Sequence, residues 1–178
     1  MRKNILILSA SPRKGGNSGL LCDQFRKGAQ EAGHAVDKIR IAEKAINYCT
    51  GCGFCFEKKQ CAQQDDMAEI LDKMVAADVI VMATPVYFYT MCGQMKTLID
   101  RTCPVYTLLP DKELYFILAA ADGNKQVLER TVEGFRGFAN CLENAREMGV
   151  VYGANAWNMG DIKESPAMAQ AYEFGKNA

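Results

Sequence analysis

An open parallel β-sheet with helices on both faces is the fold class that the sequence predicts, and three observations carry it. Short continuous runs of β-branched and aliphatic residues alternate with segments of helical periodicity along the chain. The central runs are apolar at every position rather than at every second one, as strands covered on both faces are. The 178 residues, 49% hydrophobic and 24% charged, make an ordinary globular composition of one-domain length. A core at that length buries roughly 70% of the surface the unfolded chain exposes.

The elements follow in order. Ile5–Leu8 is an uninterrupted strand. Leu21, Phe25, Ala29 and Ala32 recur at helical spacing from Asn17 to Ala32, and Gly33 supplies the stop. Val36, Ile39 and Ile41 form a partly charged strand suited to a sheet edge. A cysteine-rich loop occupies about residues 47–64. Asp66 with Glu69 resembles a capping box, opening a helix with Met67, Ile70, Leu71, Met74 and Val75 on one face. Val79–Ala83 is a buried strand ended by Thr84-Pro85, and Met95, Leu98 and Ile99 mark a helix running to about Thr102. Leu114–Ala120 is the next buried strand. Leu128, Val132, Phe135, Phe138, Leu142 and Ala145 define the longest helix, and Val150–Ala154 is the last strand. Ser165-Pro166 is an N-cap and first-turn pair for a final helix. There is no internal repeat and no low-complexity segment. Five strands alternating with five helices under right-handed crossovers leave few arrangements. The flavodoxin-like three-layer sandwich, order 2-1-3-4-5, puts the charged second strand at an edge. A ligand then sits beyond the carboxyl ends of the strands, near the switch point between strands 1 and 3. Residues 9–18, 84–92 and 120–125 are the loops placed there, in a single domain spanning residues 1–178.

Composition excludes several function classes. Lys+Arg and Asp+Glu number 21 each, so the formal net charge is zero, which argues against a broad nucleic-acid or anionic-membrane footprint. The single histidine, His34, rules out a two-His zinc site within one chain, and its place before the edge strand gives it no chemical part. The longest plainly apolar stretch, Val79–Ala83, is far below the ~20 residues of a membrane span. The basic N-terminus has an apolar run too short for a secretory signal. The expectation is a cytoplasmic protein with neither nucleic acid nor membrane as partner.

The first loop runs from Ser9 through Ser11, Arg13, Lys14, Gly15, Gly16 and Asn17 to Ser18, between a buried strand and a helix. It lacks both G-x-G-x-x-G and G-x-x-x-x-G-K-[ST], so neither a Rossmann dinucleotide site nor a P-loop is supported. Its hydroxyls, amide, cations and glycines at a helix N-terminus suit a terminal phosphate; the alternative is a solvated turn with Asn17 or Ser18 as cap. Position in the inferred sheet favours the phosphate. Ser-Pro-Arg-Lys-Gly-Gly-Asn-Ser after a first buried strand closely resembles the FMN-phosphate loop of the flavodoxin-like NAD(P)H-dependent FMN reductases. Thr84–Tyr89 followed by Met95–Arg101 resembles that family's isoalloxazine loop and succeeding helix. The resemblance covers essentially residues 3–154. It implies FMN, with Ser11, Arg13, Asn17 and Ser18 around the phosphate and Ser9 nearby. Pro85, Val86, Tyr87 and Phe88 would lie along the ring, where aromatic faces and unpaired strand-end amides meet the needs of a flavin. Asp122 and Gly123 would face the pyrimidine edge, although an Asp-Gly turn needs no ligand to explain it. Tyr87, Phe88 and Tyr89 could instead cover the sheet end or pack against a second subunit, and the family commonly places its flavin beside a dimer interface. A homodimer or homotetramer is therefore expected.

Eight cysteines in such a chain do not suggest a disulfide framework. Cys22, Cys92, Cys103 and Cys141 are scattered and read as small buried apolar residues. Cys49, Cys52, Cys55 and Cys61 form C-x2-C-x2-C-x5-C, with Gly51 and Gly53 permitting sharp bends. Four thiolates in that loop could bind zinc tetrahedrally or hold a [4Fe–4S] cluster, or hold nothing. Three cysteines at successive x2 spacings favour the cluster over paired zinc knuckles, and the run resembles the compact motif of iron–sulfur flavoproteins. A Cys49/Cys52 dithiol centre lacks the thioredoxin-like context. The resemblance implies an FMN-dependent oxidoreductase with NAD(P)H as co-substrate, reducing a quinone, azo, flavin or protein acceptor without any side chain as acid or base. The alternatives are an iron–sulfur flavoprotein electron carrier without NAD(P)H turnover, or a metal-stabilised binding module without flavin.

Overall fold

The computed structural model describes all 178 residues. In chain order its elements are β1 (Asn4–Ser9), α1 (Asn17–Glu31), β2 (Ala35–Arg40), α2 (Phe54–Lys58), α3 (Met67–Ala76), β3 (Val79–Tyr87), β4 (Thr90–Met91), α4 (Gly93–Asp100), β5 (Glu113–Ala119), α5 (Lys125–Ala139), β6 (Arg146–Gly153) and α6 (Pro166–Lys176). Five strands form a parallel sheet in the order β2-β1-β3-β5-β6, which is the expected 2-1-3-4-5 arrangement. The sixth strand, β4, was not expected; it folds back antiparallel on β3, pairing Met91 with Val86 and Thr90 with Tyr87. No helix is long and apolar enough to cross a membrane.

Two-residue alternation along the strands divides the core. Leu6, Leu8, Ile80, Met82, Phe116 and Leu118 face α3, α4 and α5. Ile5, Ile7, Val79, Val81, Tyr115 and Ile117 face α1 and α6. Both faces of the inner strands are therefore apolar, which is why their sequences run without alternation. β2 buries only Ile39, as an edge strand does.

Several boundaries differ from the sequence expectation. β3 continues through Pro85 to Tyr87, because beyond Ala83 it is paired with β5 but no longer with β1, an edge-like position where proline is tolerated. α5 stops at Ala139 rather than Ala145. Three-residue closures by the N–H groups of Cys141 and Leu142 end it, and Leu142 stays in the core from the following turn. β6 begins at Arg146, whose exposed start pairs with Glu113 of β5. The Asp66–Glu69 capping box does not form: Asp65 Oδ1 accepts from the Met67 N–H at 3.1 Å, while Asp66 Oδ2 accepts from the Ala45 N–H at 2.7 Å. Ser165 caps α6 as expected, accepting from the Ala167 N–H at 3.2 Å.

The α1–α6 contact is unusually close. A Cβ on Gly175 would stand 1.9 Å from the Phe25 carbonyl oxygen, and one on Gly28 would stand 2.1 Å from that of Tyr172. Gly175→Ala should therefore lower stability by at least the ~1–3 kcal/mol of an overpacked core, read as a lower urea midpoint. Gly137→Ala, on α5 with nothing near its Cβ, should raise stability by about 0.5–1 kcal/mol through helix propensity alone. Equal midpoints for the two variants would refute the account of the glycine contact.

Candidate functional site

The carboxyl ends of β1 and β3 open into a cavity of about 190 Å³. The chain leaving β1 supplies its first wall. Gly15 takes a left-handed conformation at φ +67, the Gly16 N–H donates back to the Arg13 carbonyl at 3.2 Å, and α1 starts at once. Ser11, Arg13, Asn17 and Ser18 all reach this cavity. The first turn of α1 contains no acidic residue, so its free N–H groups and partial positive charge are uncompensated. Ser18 Oγ is buried with no hydrogen-bond partner. An orphaned hydroxyl beside a helix N-terminus and an arginine is the donor set that a phosphate satisfies.

Asn17 lines the cavity with these residues and also ties down another loop. Its Nδ2 donates to the carbonyls of Ala156 (3.2 Å) and Asn158 (2.8 Å), and its Oδ1 accepts from the Gly160 N–H at 2.9 Å. The side chain pins the loop after β6 across the cavity, bringing Ala156 and Trp157 to its wall. Arg13 Nη1 adds a bond to the Trp157 carbonyl at 3.4 Å. Sequence reasoning missed this fourth loop; the signal was the chain's one tryptophan just after the last strand.

Pro85, Val86 and Tyr87 of β3 form the second wall. Phe88, expected beside them, is instead the fully exposed tip of the β3–β4 hairpin. Phe88 and Tyr89 have φ of 48° and 62°, the paired left-handed residues of a two-residue hairpin loop. Each costs on the order of 1–3 kcal/mol when it is not glycine or asparagine. Asp122 and Gly123 also lie off the cavity; Asp122 Oδ1 accepts from the Asn124 N–H at 2.8 Å, and Ala119 and Ala121 present that side instead. Ser9 is buried behind the wall, its hydroxyl against the Cys22 thiol, which burial pushes up to about 12. His34 lies in none of these walls; its Nδ1 accepts from the Lys3 N–H at 3.0 Å.

A second cavity, of about 80 Å³, is lined by Cys49, Cys52, Cys55 and Cys61 and by a fifth cysteine, Cys103. Cys103 is thus half-buried at the cavity and not the fully buried apolar residue expected; partial burial and the neighbouring Cys55 push its thiol up. Cys141 is exposed as well, whereas Cys22 and Cys92 are buried. Gly51 and Gly53 bend the loop at φ 66° and 75°, and the Phe54 N–H beside Cys52 draws that thiol below its usual range. No three metal-ligating side chains are drawn together here, although all five cysteines border this one cavity. Thiols are the ligand type of zinc sites and of iron–sulfur clusters alike.

The loop is anchored by an ion pair. Arg101 and Asp65 keep 1% and 5% of their side-chain surface exposed. Arg101 Nη1 and Nη2 donate to the two Asp65 oxygens at 2.8 and 2.9 Å, and Nη1 also donates to the Asn47 carbonyl at 2.6 Å. The largest cavity, about 630 Å³ between β4, α4 and α5, has an apolar wall that includes Met91, Ile99 and Phe138. Its Lys96 is already paired with Asp100 at 2.6 Å, so size does not mark it as the anion site.

Burial pushes the Asp65 carboxyl up, but hydrogen bonds from Arg101 and from the Asn47 and Met67 N–H groups outweigh it and hold the carboxyl below its usual range. A depressed folded-state value means that this stabilisation is present above about pH 4 and is lost as pH falls through the folded value. Hydrogen exchange should show residues 45–66 opening below about pH 4 while α1 and α6 stay protected. Asp65→Asn should open the same residues at neutral pH and cost about 3–5 kcal/mol, the penalty for leaving a buried partner unpaired. Unchanged protection in both experiments would remove the ion pair from this role.

Known proteins resemble this chain in sequence and in fold. The family model described as NADPH-dependent FMN reductase matches residues 3–159. An iron-sulfur flavoprotein of Archaeoglobus fulgidus is 45% identical over 94 residues, covering 53% of this chain and 43% of that protein. One from Methanocaldococcus jannaschii is 40% identical over 101 residues, covering 57% and 52%. The chain spans about half the length of the curated relatives it matches. Among solved structures, an azoreductase from Bacillus anthracis superposes with a TM-score of 0.78 at 16% identity, over 99% of this chain and 100% of that one. An NAD(P)H:quinone oxidoreductase from Methanothermobacter marburgensis gives 0.77 at 16% identity, over 99% and 97%; both likenesses are of fold. Because the family model matches residues 3–159, the chain belongs to the NADPH-dependent FMN reductase family, and its sequence resembles the family's iron–sulfur flavoproteins.

Proposed function

We propose that the protein is an FMN-dependent oxidoreductase that takes electrons from NAD(P)H and passes them to a quinone, azo, flavin or protein acceptor. The observation that carries this reading is the cavity at the strand ends, where the orphaned Ser18 hydroxyl lies opposite the apolar wall of β3. Ser11, Ser18, Arg13 and the first N–H groups of α1 would hold the FMN phosphate. Asn17 acts through the loop it pins. Pro85, Val86 and Tyr87 would line the ring on one side and Trp157 on another, with Phe88 at the entrance. Ala119 and Ala121 would stand towards the pyrimidine edge, in place of Asp122 and Gly123. Bound FMN would supply the exchange between two-electron and one-electron chemistry, while the chain binds it, orients it and limits water. No side chain in the cavity need move a proton, so none is assigned as catalytic.

In the same reading Cys49, Cys52, Cys55 and Cys61 hold one [4Fe–4S] cluster. The spacing, the single cavity and the names of the curated relatives support a cluster over zinc. The second cavity also favours an alternative, an electron carrier that exchanges electrons with partner proteins without turning over NAD(P)H itself. Either fits an assembly of two or four copies with the exposed aromatic hairpin near the contact.

Anaerobic absorption spectra with flavin and iron analysis test the pair of cofactors. Steady-state NAD(P)H oxidation with a small acceptor separates enzyme from carrier, since inertness to both nicotinamides leaves only the carrier. Arg13→Ala should weaken FMN binding by roughly 1.5–3 kcal/mol, the worth of a hydrogen bond to a charged group, or about 10- to 150-fold. Ser18→Ala should weaken it as well, and unchanged affinity in both variants would reject the phosphate assignment. Reconstituted wild type should bind iron that a Cys49→Ala/Cys52→Ala double variant does not; equal, negligible iron in both would leave the flavin alone.

A further inference from the structure

Arg101 is the largest of the fully buried side chains, yet its hydrogen bonding is incomplete. Both terminal nitrogens are used, on Asp65 and on the Asn47 carbonyl. Nε is buried and has no partner. A buried donor left unpaired costs about 1–3 kcal/mol, more on a charged group, so a native orphan of this kind asks for a missing acceptor. The surroundings supply one kind. Arg101 lines the cysteine cavity, and Cys61 lies against its guanidinium. A protonated thiol is a weak acceptor, whereas a thiolate bound to metal is an anionic one and takes a charge-assisted bond. The fork is also rigid: with Asp65 and Asn47 gripping its outer nitrogens, the direction of the Nε–H is fixed before any ligand arrives.

We propose that Arg101 is a positioning residue of the cysteine site, its Nε–H donating to the Cys61 sulfur when that sulfur binds iron. One guanidinium then clasps the loop through Asp65 and tunes the electronics of the group that the loop holds. The proposal rests on the reading that these cysteines carry a cluster. An N–H donor and a positive charge at a ligating sulfur favour the more electron-rich state, so the donor should raise the reduction potential. Lysine would keep the charge but not the fork.

The test uses the full chain, reconstituted anaerobically with iron and sulfide, as wild type, Arg101→Lys, and Arg101→Met combined with Asp65→Leu. The double variant replaces the ion pair by apolar side chains and leaves no buried charge unpaired. Bound FMN per chain reports folding, because the flavin cavity does not include Arg101. Iron per chain, the potential from a titration followed by electron paramagnetic resonance, and the rate of iron release to a chelator are read for each. The expected result is a loaded Arg101→Lys protein with a more negative potential and faster iron release than wild type. The double variant should show the same shift, and it decides the matter if Arg101→Lys fails to bind FMN. In wild type carrying 15N-arginine, the reduced cluster should show hyperfine coupling to nitrogen, since Arg101 is the arginine that lines this cavity. Wild type that loads iron but shows no such coupling, or variants with unchanged potential, would overturn the Arg101 proposal and leave the cluster standing. Wild type that takes up no iron would overturn both.

Discussion

The structure depends on a reversal at the middle of the sheet. β1 and β3 lie side by side and parallel, but α1, which follows β1, packs on one face, whereas α4, which follows β3, packs on the other. Two chains leaving neighbouring strands in opposite directions cannot fill the space between them, and a crevice at their carboxyl ends is the geometric result. The free N–H groups of α1 and the end of β3, no longer paired with β1 beyond Ala83, both open there. Nothing specific to a flavin is needed to create the crevice; the residues at its rim decide what it can hold.

Those rim residues were unequally legible. Ser11, Arg13 and Ser18 could be placed from sequence because they follow a strand buried on both faces, whose unbroken apolar run fixes its position in the sheet. Trp157 could not, since it reaches the cavity through three hydrogen bonds between Asn17 and a loop far along the chain. Cys103 is a similar case: four cysteines share a local spacing, and the fifth joins them only through the turn after α4. Asp65 and Asp66 show the limit at its finest, because two adjacent carboxylates exchange the capping role once a buried arginine claims one of them. The overlong helix assigned to residues 128–145 has a related cause. Leu142 keeps the helical phase and stays in the core, although the backbone has already turned. Periodicity reports where a side chain points, and that outlasts the helix by a turn.

The two cavities belong to one continuous piece of chain. The strained tip at Phe88 and Tyr89 leads through β4 into α4, and α4 ends at the arginine and cysteine of the second cavity. Eight helical residues span about 12 Å, so a short rigid rod separates the wall of one cavity from the anchor of the other. Left-handed residues at the tip persist only where surrounding structure holds them, and here the holding comes from the pairing of β4 with β3. The geometries of the strand-end cavity and of the cysteine cavity are thereby set together.

The loop pinned by Asn17 bears on how the protein is made. Residues 154–176 leave the ribosome after all the strands of the sheet, yet they carry Trp157 and Ala156 to the cavity wall and dock α6 on α1, where Gly28 faces the Tyr172 backbone and Gly175 that of Phe25. During synthesis, when N-terminal parts organise first, the nascent sheet therefore presents the strand-end cavity with one side open. The remaining wall waits on residues 154–176. A ligand that binds only the folded form stabilises it by mass action, so any occupant of this cavity would gain its full hold only once α6 has docked on α1.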